Sequence, residues 1–186
     1  AEKQGHQAEI IDAEVERIQQ DDLINTVLKR GADLIVFTGM SPFFHISKDI
    51  ATSLKDKGEE ASICIGGPHI TIMEEQAFDK AFDYGFIGDG EESWDKFLSA
   101  ISKDESLDSV PGLLRRSGEQ VLKNEKMSSN NNLDVYPRPA YHLLNMHKYA
   151  LGTLRGRLKF ASIQTVRGCP WQCIFCASDK LETTKI

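Results

Sequence analysis

Four short apolar runs, each followed by an amphipathic stretch, constrain this chain more than any other feature. Gln7–Asp12, Leu34–Phe37, Ala61–Ile65 and Asp83–Ile87 read as strands that begin near residues 7, 33, 61 and 83. The intervals of 26, 28 and 22 residues suit a strand, a crossover helix and two short turns, the rhythm of right-handed βαβ units. Between them, Asp21 or Asp22 can cap a helix with Leu23, Ile24, Val27 and Leu28 on its apolar face, stopped by Gly31. Ser41 and Pro42 supply an N-cap and a first-turn proline for a helix with Phe43, Ile46, Ile50 and Leu54 inward, ending at Gly58. A further helix is expected near Ile72–Lys80, and another carries Trp94, Phe97, Leu98 and Ile101 at i, i+3, i+4 and i+7. The unbroken run LIVF at 34–37 suits a strand covered on both faces. The pattern predicts an α/β fold, a doubly wound parallel sheet over residues 1–108.

Ala1–Gly5 reads as the last turn of a helix with Gly5 as its C′ residue. In doubly wound sheets the first strand lies centrally and carries the first ligand loop, so the expectation is that this first strand is missing from the sequence. Beyond the sheet, Leu113–Arg116 and Gln120–Leu122 flank Ser117-Gly118, a hairpin signal. Residues 123–139 are rich in Ser, Asn and Pro and read as linker, so 109–159 are assigned to hairpin and linker. Tyr141–Tyr149 reads as a short helix, and Phe160–Val166 as the first strand of a new unit at 160–186. That unit stops ten residues past Cys176, too short for a second domain, so turnover by this segment alone is not expected.

Apolar residues make up 40% of the 186, an ordinary globular level that excludes a wholly disordered chain. No apolar run approaches the ~18–20 residues of a membrane helix, and no basic n-region precedes an apolar stretch. A cytoplasmic location is the expectation. The net charge of −6 is unevenly placed: residues 1–134 carry −12 and residues 135–178 carry +6 with no acid. Such a step suggests a basic segment facing something anionic. The six positive charges are too dispersed over their forty-four residues for a nucleic-acid stripe.

The cysteines are Cys64, Cys169, Cys173 and Cys176, three of them within eight residues. This crowding reads as a metal site in a reducing compartment rather than a disulfide framework. The stretch from Arg167 to Cys176 has the spacing C-x3-C-x2-C. Thiolates suit both iron–sulfur chemistry and zinc. A structural zinc site wants four ligands, and His142 and His147 lie more than twenty residues upstream. Three thiolates on a four-iron cluster would leave one iron open. Cys64, in the apolar run SICI, reads as core.

This loop, with Arg167-Gly168 before it and Phe175 before its last cysteine, resembles the radical S-adenosylmethionine signature. The resemblance implies that Cys169, Cys173 and Cys176 hold a [4Fe-4S] cluster whose open iron chelates S-adenosylmethionine, with Phe175 near the adenine. It also implies reductive cleavage to a 5′-deoxyadenosyl radical, with electrons from a donor such as a flavodoxin or ferredoxin. The cofactor carries the radical chemistry, so no protein acid, base or nucleophile is nominated.

Gly-rich turns at the carboxyl ends of parallel strands allow a ligand close to the backbone. Three are present: Thr38-Gly39-Met40-Ser41, Gly66-Gly67-Pro68-His69 and Gly88-Asp89-Gly90-Glu91. Any one is explained by a tight turn; together they mark one end of the sheet as a binding crevice. The turns GGPH and IGDGEES, the hairpin, the proline-containing linker and RGCP together resemble the cobalamin-binding domain that precedes the radical domain in one class of these enzymes. The resemblance spans nearly the whole chain and implies a flavodoxin-like or Rossmann-like domain of B12-binding type. Its corrinoid would pack on Thr38, Gly39, Ser41, Gly66, Gly67, Pro68, His69, Gly88, Gly90 and Glu91. It implies methyl transfer, oxidative cyclisation or rearrangement on a small-molecule substrate. Two alternatives stand: a radical methylthiotransferase, whose second cluster needs three front-domain cysteines where only Cys64 is available, and a non-catalytic corrinoid- or nucleotide-binding module. Glu91 and Glu92 read as compensation of a helix dipole.

Overall fold

A computed structural model describes residues 1–127, 132–153, 156–159, 161–171 and 173–181. Glu2–Gln4 form a 3-10 turn closed by Gly5 in the left-handed region, φ 86°. The elements that follow are α1 (Ala13–Glu16), α2 (Gln20–Arg30), β1 (Leu34–Thr38), α3 (Phe44–Asp56), β2 (Ser62–Gly66), α4 (Pro68–Met73), β3 (Tyr84–Phe86) and α5 (Gly90–Ser102). Then come β4 (Leu113–Ser117), β5 (Gln120–Lys123), β6 (Ala150–Thr153), β7 (Gly156–Lys159) and α6 (Ser178–Leu181).

One five-stranded sheet runs in the order β1-β2-β3-β4-β5. β1, β2 and β3 are parallel, with Val36 opposite Cys64 and Cys64 opposite Tyr84. The hairpin expected as a separate piece joins this sheet: β4 lies antiparallel to β3, with Gly85 opposite Leu114, and β5 follows. Side chains alternate between two cores, as strand geometry requires. Ile63, Ile65, Ile87 and Leu114 meet Ile24, Ile50 and Leu54 on one face. On the other, Cys64, Phe86 and Leu113 meet Phe97, Leu98 and Val110. Helices cover both faces of this mixed sheet, as the α/β class requires. Tyr84, Phe86, Trp94 and Phe97 add edge-on and stacked aromatic contacts, with Phe86 and Phe97 centroids 5.2 Å apart.

Several local expectations are corrected. Gln7–Asp12 is not a strand but irregular chain leading into α1. A strand needs a ladder partner for its backbone groups, and β1, at the sheet edge, pairs only with β2 among the described residues. Instead Asp12 caps α1 through Val15 N–H at 3.0 Å and accepts from the Tyr149 hydroxyl at 2.5 Å. Gln19 rather than Asp21 or Asp22 occupies the N-cap of α2. Ser41 and Pro42 form a 3-10 turn before α3, leaving Phe43 and Ile46 exposed while Ile50 and Leu54 are buried. The helix placed at 72–80 runs earlier, because Pro68 starts α4, and Glu74–Ala77 form a 3-10 turn. Tyr141–Leu143 make only a single 3-10 turn of the helix expected to Tyr149. The strand expected at Phe160–Val166 is absent over the described 161–166, which are exposed and irregular; residue 160 lies outside the described set. The hairpin β6–β7 falls in a stretch read as linker.

Candidate functional site

Three strand-to-helix turns meet at the carboxyl edge of β1, β2 and β3, and they are stitched together. Gly39 N–H donates to Gly66 C=O at 2.7 Å, and His69 N–H donates to Gly39 C=O at 2.9 Å. The Ser41 hydroxyl lies 3.0 Å from His69 Nδ1, and the His69 ring sits 4.2 Å from that of Phe44. On the other side, Gly88 N–H donates to Thr71 Oγ1 at 3.0 Å. Thr71, buried on α4, escaped the sequence reading; nothing in its local pattern distinguishes it from any helical threonine.

The glycines of these turns do different work. Gly67 has φ 99°, and a Cβ there would come 2.9 Å from Thr38 Oγ1 and 3.0 Å from Gly39 N. It is needed for the first two turns to touch. Gly90 stands at the first position of α5, and a Cβ there would meet nothing within 4 Å. A Cβ at Gly88 would likewise meet nothing within 4 Å, so both glycines of the third turn border open space. Met40, Phe43 and Met73 add exposed apolar surface around the same edge. An apolar, backbone-rich rim of this kind suits a large flat ligand, and its residues fit the corrinoid that the resemblance implies.

The cysteine loop is brought to this end of the sheet. Arg167, two residues before Cys169, forms a fork with Glu91: Nη1 donates to Oε2 at 3.1 Å and Nη2 to Oε1. Asp89 Oδ2 lies 3.4 Å from Nη1, and the guanidinium carbon sits 5.5 Å above the Tyr136 ring. The Tyr136 hydroxyl donates to Glu92 Oε1 at 3.1 Å. Burial raises the Glu91 carboxyl, but hydrogen bonds from Arg167 and its charge outweigh it, holding the group below the usual range. Glu91, read as dipole compensation, is therefore the carboxylate that receives Arg167. The sequence could not show this partnership across 76 residues.

Cys169 is half-buried, whereas Cys173 and Cys176 are exposed. Cys176 N–H donates to Cys173 C=O at 3.0 Å, and Cys176 Sγ lies 3.0 Å from Ser178 Oγ. The turn places them on one loop, but among the described residues no three potential ligands are drawn into a metal-binding group. The donor set itself, three accessible thiols on one short loop, fits an iron–sulfur cluster by its chemistry. Phe175 is 90% exposed beside them. Cys64 is fully buried, and desolvation, reinforced by Asp83, pushes its thiol up to about 12. It is unsuited to ligate a second cluster.

The basic segment meets the acidic front. Besides Arg167, Lys148 pairs with Glu16. His142 Nε2 lies 2.9 Å from Glu2. No helix among the described residues is long and apolar enough to cross a membrane.

The chain is 28% identical over 178 residues to an uncharacterized methyltransferase of Pyrococcus horikoshii, covering 95% of this chain and 38% of that protein. It is 28% identical over 180 residues to the hopanoid C-3 methylase of Methylococcus capsulatus, covering 94% of this chain and 33% of that protein. The chain thus spans about a third of the length of these relatives. Its fold matches TsrM of Kitasatospora setae, a radical S-adenosylmethionine methyltransferase solved with cobalamin and a [4Fe-4S] cluster bound, with a TM-score of 0.72. That match is 19% identical and covers 99% of this chain and 38% of TsrM. The B12 binding domain family matches residues 1–98, just over half the chain, and to that family this chain belongs.

Proposed function

We propose that this chain is the corrinoid-binding domain and cluster loop of a cobalamin-dependent radical S-adenosylmethionine enzyme that transfers a methyl group to a small molecule. One observation carries the reading: a B12-binding domain presents three linked glycine turns, and a C-x3-C-x2-C loop is tied by Arg167 to the third of them. The methyltransferase relatives support the reaction class.

Cys169, Cys173 and Cys176 would hold the cluster, and Phe175 would flank the adenine of S-adenosylmethionine. Thr38, Gly39, Ser41, Gly66, Gly67, Pro68 and His69 would form one wall of the corrinoid site, with Gly88, Gly90 and Glu91 the other. When bound, these cofactors supply a carbon radical and a methyl donor. The chain's own part is to hold and orient them. The stitched turns keep the corrin face rigid, while the ring of Phe44 and the Ser41 hydroxyl fix His69 in place. A separate reductant such as a flavodoxin or ferredoxin would supply electrons.

The intact protein, reconstituted anaerobically with iron and sulfide, is expected to hold about four irons. Cys173→Ala should lose them, and hydroxocobalamin should co-elute with the protein as a corrin absorbance. A preparation holding only zinc, or none of these groups, would overturn the reading and leave a module of the non-catalytic kind. Corrin without iron would keep the first half and refute the radical chemistry.

A further inference from the structure

We infer that Arg167 is a positioning residue that seats the cysteine loop on the β3–α5 turn, and with it the face the thiols present to the glycine turns. The inference rests on the proposed function and adds to it a residue that holds the two cofactor-bearing parts together. Its side chain is only 20% exposed, although the loop it begins is open: Trp171, Ile174 and Phe175 are 74%, 103% and 90% exposed. The contacts of Arg167 are all with groups fixed elsewhere. Asp89 is the N-cap residue of α5, and Glu91 and Glu92 belong to its first turn. That helix is anchored by fully buried Phe97 and nearly buried Leu98. Tyr136 backs the guanidinium on its ring face and is itself held by Glu92. A planar guanidinium satisfies two carboxylate oxygens in one plane while stacking on a ring; a lysine ammonium cannot do both.

The loop is held at its far end as well, where α6 packs against α4. Its two anchors therefore sit on the helices that follow β2 and β3, the strands whose turns form the candidate corrinoid wall. Between these anchors lie the cysteines. Removing the first anchor frees the loop without touching a thiol or a turn residue.

The test uses the intact protein, anaerobically reconstituted, in the forms wild type, R167Q, R167K, E91Q and R167Q/E91Q. Hydrogen–deuterium exchange is read over residues 168–176 and over α5 as control. Loss of a charge-assisted fork should raise exchange in the loop by about tenfold in R167Q, with α5 unchanged. R167Q should keep the iron and corrin content of the wild type. The magnetic interaction between the reduced cluster and cob(II)alamin, read by electron paramagnetic resonance, should weaken, a signature that general destabilisation does not produce. E91Q should raise loop exchange to a similar degree, the double variant should add nothing further, and R167K should recover only part. Loop exchange at the wild-type level in R167Q, additive effects of the two single changes, or loss of protection spread equally through α5 would each overturn the assignment. A wild type that binds neither iron nor corrin fails the functional reading instead, and the exchange comparison on that protein still decides the role of Arg167.

Discussion

At the scale of single residues, the four cysteines divide by environment rather than by sequence. Cys64 sits between Ile63 and Ile65 on a central strand, fully buried, and its thiol is pushed up to about 12, mainly by desolvation. The thiolate is the reactive form, so Cys64 in the native protein should resist iodoacetamide at pH 8. Cys169, Cys173 and Cys176 should alkylate in protein freed of metal, and mass spectrometry should find a fourth adduct only after unfolding. Alkylation of Cys64 at the rate of the other three would contradict its burial. The buried setting was readable from SICI. The partnership of Arg167 and Glu91 was not, since nothing local marks which of the 28 acids meets a given arginine.

Among the elements, the turns matter most, and Gly67 is the stress point. Its φ of 99° with ψ −176° is a region that only glycine occupies readily. The Cβ of an alanine would also press on the first turn. Gly67→Ala should cost about 1–3 kcal/mol from backbone strain alone, seen as a lower urea midpoint. Gly90→Ala, with open space and no strained φ, should leave stability within about 0.5 kcal/mol. Equal losses at the two positions would show that the turns are not stitched as described. The strands at 34–38, 62–66 and 84–86 were legible from their apolar runs, within a residue or two at each end. Residues 7–12 were misread for a physical reason: apolar alternation marks a segment able to pair, and pairing needs a neighbour.

For the whole molecule, charge shapes the response to pH. Hydrogen bonds from Lys123 and then Lys126 hold Glu74 below its usual range, and Lys123 holds Glu75 likewise. At Asp79 burial acts upward, but the Lys48 contact and the Ala81 N–H prevail, and the net shift is downward. Glu91 is also lowered. A carboxylate depressed in the folded state stabilises it above the unfolded value and loses that contribution as pH falls through the folded value. The urea midpoint should therefore hold steady from pH 8 to 6 and fall as pH drops below ~4.3. Glu74→Gln should flatten that fall, because it removes an acid bound to two lysines. An acid limb unchanged by the substitution would assign it to other groups.

Period, burial and turn chemistry are local properties, and they were enough to specify an α/β sheet covered on both faces, its glycine turns and a thiol-rich loop. Hydrophobic spacing states which face a segment buries, so it foretold the core around Ile63, Ile65, Leu54 and Phe97. Spacing does not state which element lies opposite. That is why the joining of β4 and β5 to the sheet, the 3-10 turns after Met40 and Met73, the role of Thr71 and the Arg167–Glu91–Tyr136 assembly came only from the tertiary structure. These depend on distances between parts remote in sequence, where the free energy of a contact is decided by what else the fold has already brought near.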